Sequence, residues 1–111
     1  MYKRQVVEVI DVETHQVTRE IEVGHHPKFM VVSPDGRTLY VANYTHRSVS
    51  VVDLESFEEI RRLNTGVQPR GMSILPDGRL LVASFRSDFI QVFSDRGEEE
   101  LARFDLSLIH I

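Results

Sequence analysis

The sequence has 111 residues, of which 41% are hydrophobic and 27% are charged, a balance typical of one globular domain rather than of a disordered chain. Its net charge of −4 and lack of a large basic patch argue against nucleic acid as the main partner, because phosphate contacts need such a patch. The absence of cysteine excludes disulfides, thiolate metal sites and cysteine nucleophiles. No apolar run is long enough to predict a membrane span.

An internal repeat organises the chain. Gly24 and Gly66 are 42 residues apart, as are the two P-D-G-R segments at 34–37 and 76–79. After the second P-D-G-R segment one residue is missing, so the spacing between equivalent residues falls to 41. Within residues 1–105 this periodicity predicts a half repeat followed by two full repeats, with the bounds 4–23, 24–65 and 66–105.

The first full repeat predicts four strands separated by turns. Their bounds are 28–33, 38–43, 48–54 and 58–65. Between the first two strands, Pro34 restricts φ, Asp35 favours a bend and Gly36 can take a positive φ without a Cβ clash.

The second full repeat carries the same turn as Pro76, Asp77 and Gly78. A residue that recurs with a repeated structure is expected to serve that structure. We therefore interpret both turns as structural and predict no catalytic role for their aspartates. No segment sustains a helical period.

The hydrophobic pattern of the strands indicates how the sheets pack. Both alternating faces of strand 38–43 are apolar, and so are those of strand 28–33, whereas strand 58–65 mixes arginines with apolar residues. A two-layer sandwich would leave a polar outer face on most strands, but sheets stacked around an axis bury their inner strands on both faces. The pattern therefore predicts an all-β fold: about two and a half four-stranded antiparallel blades of a larger β-propeller, expected to have seven blades.

Particular residues carry a family resemblance. The segment S-P-D-G-R at 33–37, the segment Y-V-A-N at 40–43 and the junction G-H-H-P at 24–27 resemble the repeat of the YVTN family of β-propellers, the YncE-like proteins. In the second repeat Y-V-A-N becomes L-V-A-S at 81–84. The resemblance implies a binding scaffold of bacterial or archaeal type and a periplasmic or extracellular location, although the sequence shows no signal peptide. Similar blades occur in lactonase-type enzymes and in haem- or quinone-linked oxidoreductases.

The last six residues depart from the repeat. Residues 106–111 read L-S-L-I-H-I, without the glycine and proline that the repeat requires there. They resemble the translation of a transposon-end sequencing adapter, so we expect a non-native tail. Because closed propellers usually have four to eight blades, the missing blades of the same parent chain are expected partners of these repeats.

Unrepeated polar residues are the best candidates for ligand binding. They fall in the junctions between repeats and in the loops between second and third strands, which meet at one rim of a propeller. The candidates are His25, His26, His46, Arg47, Arg70 and Arg86. Imidazoles can bind metals or transfer protons, but adjacent residues of an extended segment point in opposite directions, so we predict no metal site at the histidine pair.

These observations favour a non-catalytic module that binds a small molecule or a protein at the rim. We predict neither a catalytic residue nor a cofactor. Two alternatives remain open: part of a propeller enzyme, either a lactonase-type hydrolase or a haem- or quinone-linked oxidoreductase, and a structural component of a surface layer.

Overall fold

The computed structural model describes residues 6–24, 27–84, 87 and 89–105. Ten strands occupy most of this length, and they confirm the predicted all-β class. The strands are β1 (Val6–Ile10), β2 (Val17–Glu22), β3 (Pro27–Val32), β4 (Thr38–Asn43), β5 (Ser48–Asp53), β6 (Glu58–Asn64), β7 (Pro69–Ile74), β8 (Leu80–Ser84), β9 (Phe89–Phe93) and β10 (Glu100–Asp105).

The strands form three antiparallel sheets with simple up-and-down order. One sheet contains β1 and β2, the second runs β3-β4-β5-β6, and the third runs β7-β8-β9-β10. Their bounds agree with the strands predicted for the first repeat to within one residue at each end. One element was not predicted, a 3₁₀ turn at Asp95–Gly97 between β9 and β10.

Two apolar layers join the sheets. The layer between the second and third sheets contains Tyr40, Val51, Leu80, Val82 and Phe93. The layer between the first and second sheets is smaller and joins β2 and the residue after it to β4 and β5. It contains Ile21, Val23, Leu39, Val41 and Val52. The two central strands of the middle sheet are thus covered on both faces, as in blades of a propeller, and β4 is buried along its whole length.

The prediction that β3 is also covered on both faces is wrong for the described residues. Met30 and Val32 are 55% and 54% exposed. They pair with Val41 and Leu39 and so share the face that packs against the first sheet. In the described part of the chain the first sheet has two strands, and its apolar layer joins β4 and β5 and leaves this part of the face open.

The turn between β3 and β4 is held by local hydrogen bonds. The Oδ1 atom of Asp35 accepts hydrogen bonds from the Ser33 hydroxyl at 2.6 Å and the Arg37 N–H at 3.0 Å. These bonds, led by that from Ser33, lower the pKa of Asp35. Gly36 has φ of +73° and its N–H donates to the Ser33 carbonyl at 2.9 Å.

We expect Gly36→Val to destabilise the complete gene product by about 1–3 kcal/mol, because valine is strained at positive φ. Apart from its neighbours in the chain, no described residue has an atom within 4 Å of an ideal Cβ at Gly36, so the cost comes from the backbone. Gly36→Asn is the matched control and should cost much less, since asparagine tolerates this conformation. Denaturant unfolding measures both variants. Equal midpoints for Gly36→Val and the unmodified protein would contradict the positive φ of Gly36.

The outer face of the third sheet is apolar and open. Leu81, Ala83, Ile90 and Phe104 lie on this face, and Phe104 is 56% exposed. The equivalent residues of the preceding repeat, Tyr40, Ala42, Val49 and Leu63, are buried where the middle sheet packs against the third. The open face therefore has the composition of a surface that packs against another sheet.

Expressed alone, the 111-residue chain is expected to self-associate through this face. Phe104→Lys should weaken the association, whereas Val12→Lys should not, although Val12 is also an exposed hydrophobic residue at 86%. Sedimentation velocity measures the association. A monodisperse monomer with a cooperative thermal transition would refute the expectation.

Candidate ligand-binding rim

One end of the stacked sheets collects the connections in which the sequence predicts ligand-binding residues. Pro27 pairs with Asn43, Asn43 with Ser48, and Ser48 with Asn64, so these strand ends lie at the same level. We call this end the junction rim: the described residues of the β2–β3, β4–β5, β6–β7 and β8–β9 connections and the strand ends beside them. The opposite end, formed by the remaining connections, is the turn rim.

A buried polar cluster supports the junction rim. Asn43 is fully buried, and its Nδ2 atom donates hydrogen bonds to Ser48 Oγ at 3.1 Å and to Ser50 Oγ at 2.9 Å. Both serines are buried as well. The Oδ1 atom of Asn43 has no hydrogen-bond partner among the described residues. The cluster ties the end of β4 to β5 and fixes the base of the loop between them.

Gly24 brings the β2–β3 junction directly against this cluster. A Cβ atom at Gly24 would lie 2.7 Å from Cγ and Nδ2 of Asn43 and 2.8 Å from Nδ1 of His46. The next junction has the same close approach, with Gly66 against Ser87 at 2.7 Å. There, the Val67 N–H donates to the Ser87 hydroxyl at 3.0 Å. Side chains of the β4–β5 and β8–β9 connections thus pack against the junction that precedes their own blade.

The loop between β4 and β5 presents His46 and Arg47 at the junction rim, and both are exposed. The His46 N–H donates to the Asn43 carbonyl at 3.0 Å, and the Arg47 carbonyl accepts from the Thr65 N–H at 3.0 Å. Arg47 has φ of +49°, which tightens the loop. The His46 Nδ1 atom lies 3.4 Å from Nη1 of Arg62. This loop is therefore anchored at both ends while its polar side chains face solvent.

Strands β3 and β7 carry a feature that was not predicted from the sequence. In β3 the pairing passes from Pro27 to Phe29 while β4 advances by one residue, so Lys28 occupies a β-bulge. Its ammonium group lies 4.8 Å from the centre of the Tyr44 ring, within cation–π distance. In β7 the same shift places Arg70 in a bulge. The signal was present in the sequence, because a basic residue follows the proline of both junctions.

A groove borders Lys28 on the open side of β3. It is lined by Val6, Val7, Glu8, Ile10, Pro27, Lys28 and Met30. The groove lies where β1 approaches β3 without pairing with it. Glu8 places a carboxylate on the same groove as the Lys28 ammonium.

The structure brings together some of the predicted residues and does not describe others. His46 and Arg47 share the β4–β5 loop. Arg70 has a described backbone at the start of β7, but its side chain lies outside the description. His25, His26 and Arg86 lie outside the described residues, as does the predicted tail at 106–111.

Two other kinds of feature are absent from the described part of the chain. Residues 6–24, 27–84, 87 and 89–105 contain no group of three or more histidine, aspartate or glutamate side chains placed to hold a metal ion. No helix in those ranges has the length and hydropathy needed to cross a membrane.

The turn rim contains a bridge between blades that was also missed. Arg96, in the 3₁₀ turn after β9, has φ of +62°. Its Nη1 atom donates to Thr38 Oγ1 at 3.1 Å, and its Nη2 atom lies 3.8 Å from Asp53 Oδ1. Asp53 also accepts a hydrogen bond from the Glu55 N–H at 3.1 Å, and this bond is the main cause of its lowered pKa. The equivalent of Arg96 in the preceding repeat is Glu55, which cannot form the same bridge to the first sheet.

We expect the Asp53 carboxylate to make stability dependent on pH. Its pKa is lower in the folded protein than the value of about 3.9 in an unfolded chain, so its contribution is present above about pH 4 and is lost as the pH falls through the folded pKa. Asp53→Asn should therefore reduce the stability of the complete gene product at pH 7 and flatten its loss in acid. Unfolding curves between about pH 2 and 7 measure this. An unchanged acid slope would contradict the expectation.

Comparison with known proteins places this architecture in a family. Hydrazine synthase from Kuenenia stuttgartiensis superposes with a TM-score of 0.81 at 35% identity, over 88% of this chain and 29% of that chain. The dihydro-haem d1 dehydrogenase NirN gives 0.80 at 19% identity, over 92% of this chain and 23% of that chain. AztD from Citrobacter koseri superposes with a TM-score of 0.77 at 14% identity, over 96% of this chain and 31% of that chain.

The chain therefore spans less than a third of each of these structures. NirN and AztD are similar to this chain in fold alone. No curated protein sequence gives a significant match. The family model described as lactonase, seven-bladed β-propeller, matches residues 7–104, and the chain belongs to that family.

Proposed function

We propose that these repeats form part of a propeller of YVTN type that binds a small molecule or a protein at the junction rim. One observation carries the proposal. The rim combines a scaffold that recurs in both blades with exposed side chains that do not recur. Gly24 and Gly66 make the same close approach to the following loop, whereas the positions of His46 and Arg47 are occupied by Ser87 and Asp88 in the next blade. Constant scaffolds with variable loops are typical of binding sites.

The buried Asn43 cluster supports this proposal. Its two hydrogen bonds to serine hydroxyls hold the base of the β4–β5 loop, so that loop needs little further ordering when a ligand binds. The same asparagine ends the Y-V-A-N segment on which the resemblance to YVTN proteins rests. In this proposal the segment has a physical role, which is to preorganise the loop that carries His46 and Arg47.

A screen of metabolites for stabilisation of the complete gene product tests the proposal. At least one compound should raise the melting temperature, and the double variant His46→Ala and Arg47→Ala should abolish that shift. Arg61→Ala is the control, because Arg61 is exposed in the middle of β6, away from the rim. A shift that survives the double variant would place the binding site elsewhere and contradict the proposal.

The family match favours a second candidate, a lactonase-type hydrolase. Hydrolysis of δ-gluconolactone by the complete gene product, followed with a pH indicator, separates the two. A rate above the spontaneous reaction that is lost in the His46→Ala and Arg47→Ala variant would favour the enzyme. A redox enzyme remains a weaker candidate that rests on the similarity to hydrazine synthase. It predicts a haem or quinone absorption spectrum in the purified gene product.

A further inference from the structure

An ion pair recurs on the outer strands of the second and third sheets. In β6, the Nε and Nη2 atoms of Arg62 each donate to the Glu59 carboxylate at 3.0 Å. In β10, the same two atoms of Arg103 donate to the Glu100 carboxylate at 2.9 and 3.1 Å. The two pairs occupy equivalent positions of the repeat. A bidentate pair of this kind fixes the plane of the guanidinium group and therefore the direction of its remaining N–H groups.

The two guanidinium groups meet different partners beside the junction rim. That of Arg103 lies over the Phe89 ring, 4.5 Å from its centre. That of Arg62 turns its Nη1 atom to the Nδ1 atom of His46, at 3.4 Å. The equivalent of His46 in the next blade is Ser87. The contact between Arg62 and the imidazole ring is therefore added to a repeated ion pair and is not itself part of the repeat.

The chemistry of this contact decides which ring nitrogen of His46 carries the proton. A guanidinium group has only donors, and in proteins it stays protonated. It can donate to Nδ1 only where that nitrogen has its lone pair, so the neutral ring carries its proton on Nε2. The loop holds the ring in this orientation. The His46 N–H donates to the Asn43 carbonyl, and Nδ1 lies 2.8 Å from where a Cβ of Gly24 would be.

We propose that Arg62 is a positioning residue of the junction rim, which is aimed by Glu59 and orients the neutral His46 ring with its proton on Nε2. This inference rests on the function proposed above and specifies how His46 takes part in binding. A ligand that meets His46 through Nε2 receives a hydrogen bond. The ligand therefore presents an acceptor there, such as a carbonyl or hydroxyl oxygen.

Nitrogen NMR of the complete gene product with isotope-labelled histidine tests the position of the proton at about pH 8, where imidazoles are ordinarily neutral. The variant His46→Gln identifies the signals of His46 by their loss. In the unmodified protein, the proton–nitrogen correlations should show Nδ1 without a proton. The charge-swapped double variant Glu59→Arg and Arg62→Glu keeps an ion pair but turns an acceptor towards the ring. It should therefore place a proton on Nδ1.

The matched control is the charge swap Glu100→Arg and Arg103→Glu, which reverses the equivalent pair of the next blade. It should leave the signals of His46 unchanged. Arg62→Met decides the question if the swapped variant does not fold. It removes the donor, so the ring should then populate both neutral forms, as a free imidazole does. A proton on Nδ1 in the unmodified protein, or the same response of His46 to both charge swaps, would overturn the inference.

Binding separates this inference from the proposed function, with the compounds that raise the melting temperature in the metabolite screen as probes. A glutamine amide N–H comes close to the position of histidine Nε2, and an asparagine amide comes close to that of Nδ1. His46→Asn should therefore weaken their binding at least about tenfold more than His46→Gln does. The reverse order would overturn the donor role of His46. If no compound binds while the NMR signals show the proton on Nε2, the proposed function fails and the role of Arg62 stands.

Discussion

Asn43→Asp is expected to destabilise the complete gene product by roughly 3–5 kcal/mol at pH 7, because it places a negative charge at a fully buried position. Asn43 is fully buried, and both described hydrogen bonds of its side chain are donated by Nδ2. An ionised aspartate has no donor, so the Ser48 and Ser50 hydroxyls would have to turn towards the carboxylate. Burial then raises the pKa of the new carboxyl.

The pH dependence of this variant distinguishes a buried charge from a general loss of packing. A carboxyl whose folded pKa lies above its unfolded value of about 3.9 becomes more destabilising as the pH rises from there to the folded pKa. The variant should therefore come closest to the stability of the unmodified protein near pH 4 and lose stability progressively as the pH rises from there. Asn64→Asp, at the exposed end of β6, is the control and should cost less than about 0.5 kcal/mol. Equal effects at the two positions would show that the Asn43 cluster does not support the rim.

Gly24→Ala is expected to cost about 2–4 kcal/mol, since the added methyl group would lie 2.7 Å from Asn43, a distance that real Cβ atoms do not adopt. The side chain in contact cannot move away cheaply, because its hydrogen bonds to Ser48 and Ser50 hold it in place. Either the junction shifts outward or the buried cluster breaks. Both results displace the β4–β5 loop, so the variant should also weaken any ligand that binds through His46 and Arg47.

Gly71→Ala provides the matched control for this experiment. Gly71 also lies at the junction-rim end of its strand, but its Cβ would lie 3.4 Å from the Cβ of Ala83, an ordinary contact distance. Chemical denaturation should find this variant within about 1 kcal/mol of the unmodified protein. A Gly24→Ala variant as stable as Gly71→Ala would mean that the junction does not pack against Asn43.

Taken together, the two expectations separate the parts of the rim that support it from the parts that face a ligand. Asn43 and Gly24 are buried at its base, and their substitutions should reduce stability first and binding as a consequence. His46 and Arg47 are exposed, and their substitutions should reduce binding with little effect on stability. A stability and an affinity measurement on the same variants therefore locate each residue in one part or the other.

Much of the blade could be predicted because its signals are local. The β4 strand agrees with its predicted bounds of 38–43, since alternating side chains that are apolar on both faces specify a strand buried on both sides. The turn at Asp35 and Gly36 could also be predicted, because aspartate and glycine have distinct conformational preferences in turns. The exposure of Met30 could not be predicted from the sequence of β3, because it depends on how much of that face the neighbouring sheet covers.

The sequence by itself determined the repeat, the four-stranded blade and the chemistry of its turns, because each follows from residues close together in the chain. Only the tertiary structure decided that Lys28 occupies a bulge, that Arg96 reaches Thr38 and Asp53, and that Gly24 lies against Asn43. These contacts depend on strand register and on the stacking of one sheet on the next. A shift of one residue in register would move every side chain to the other face, and alternation alone does not specify which residue of a strand is left unpaired.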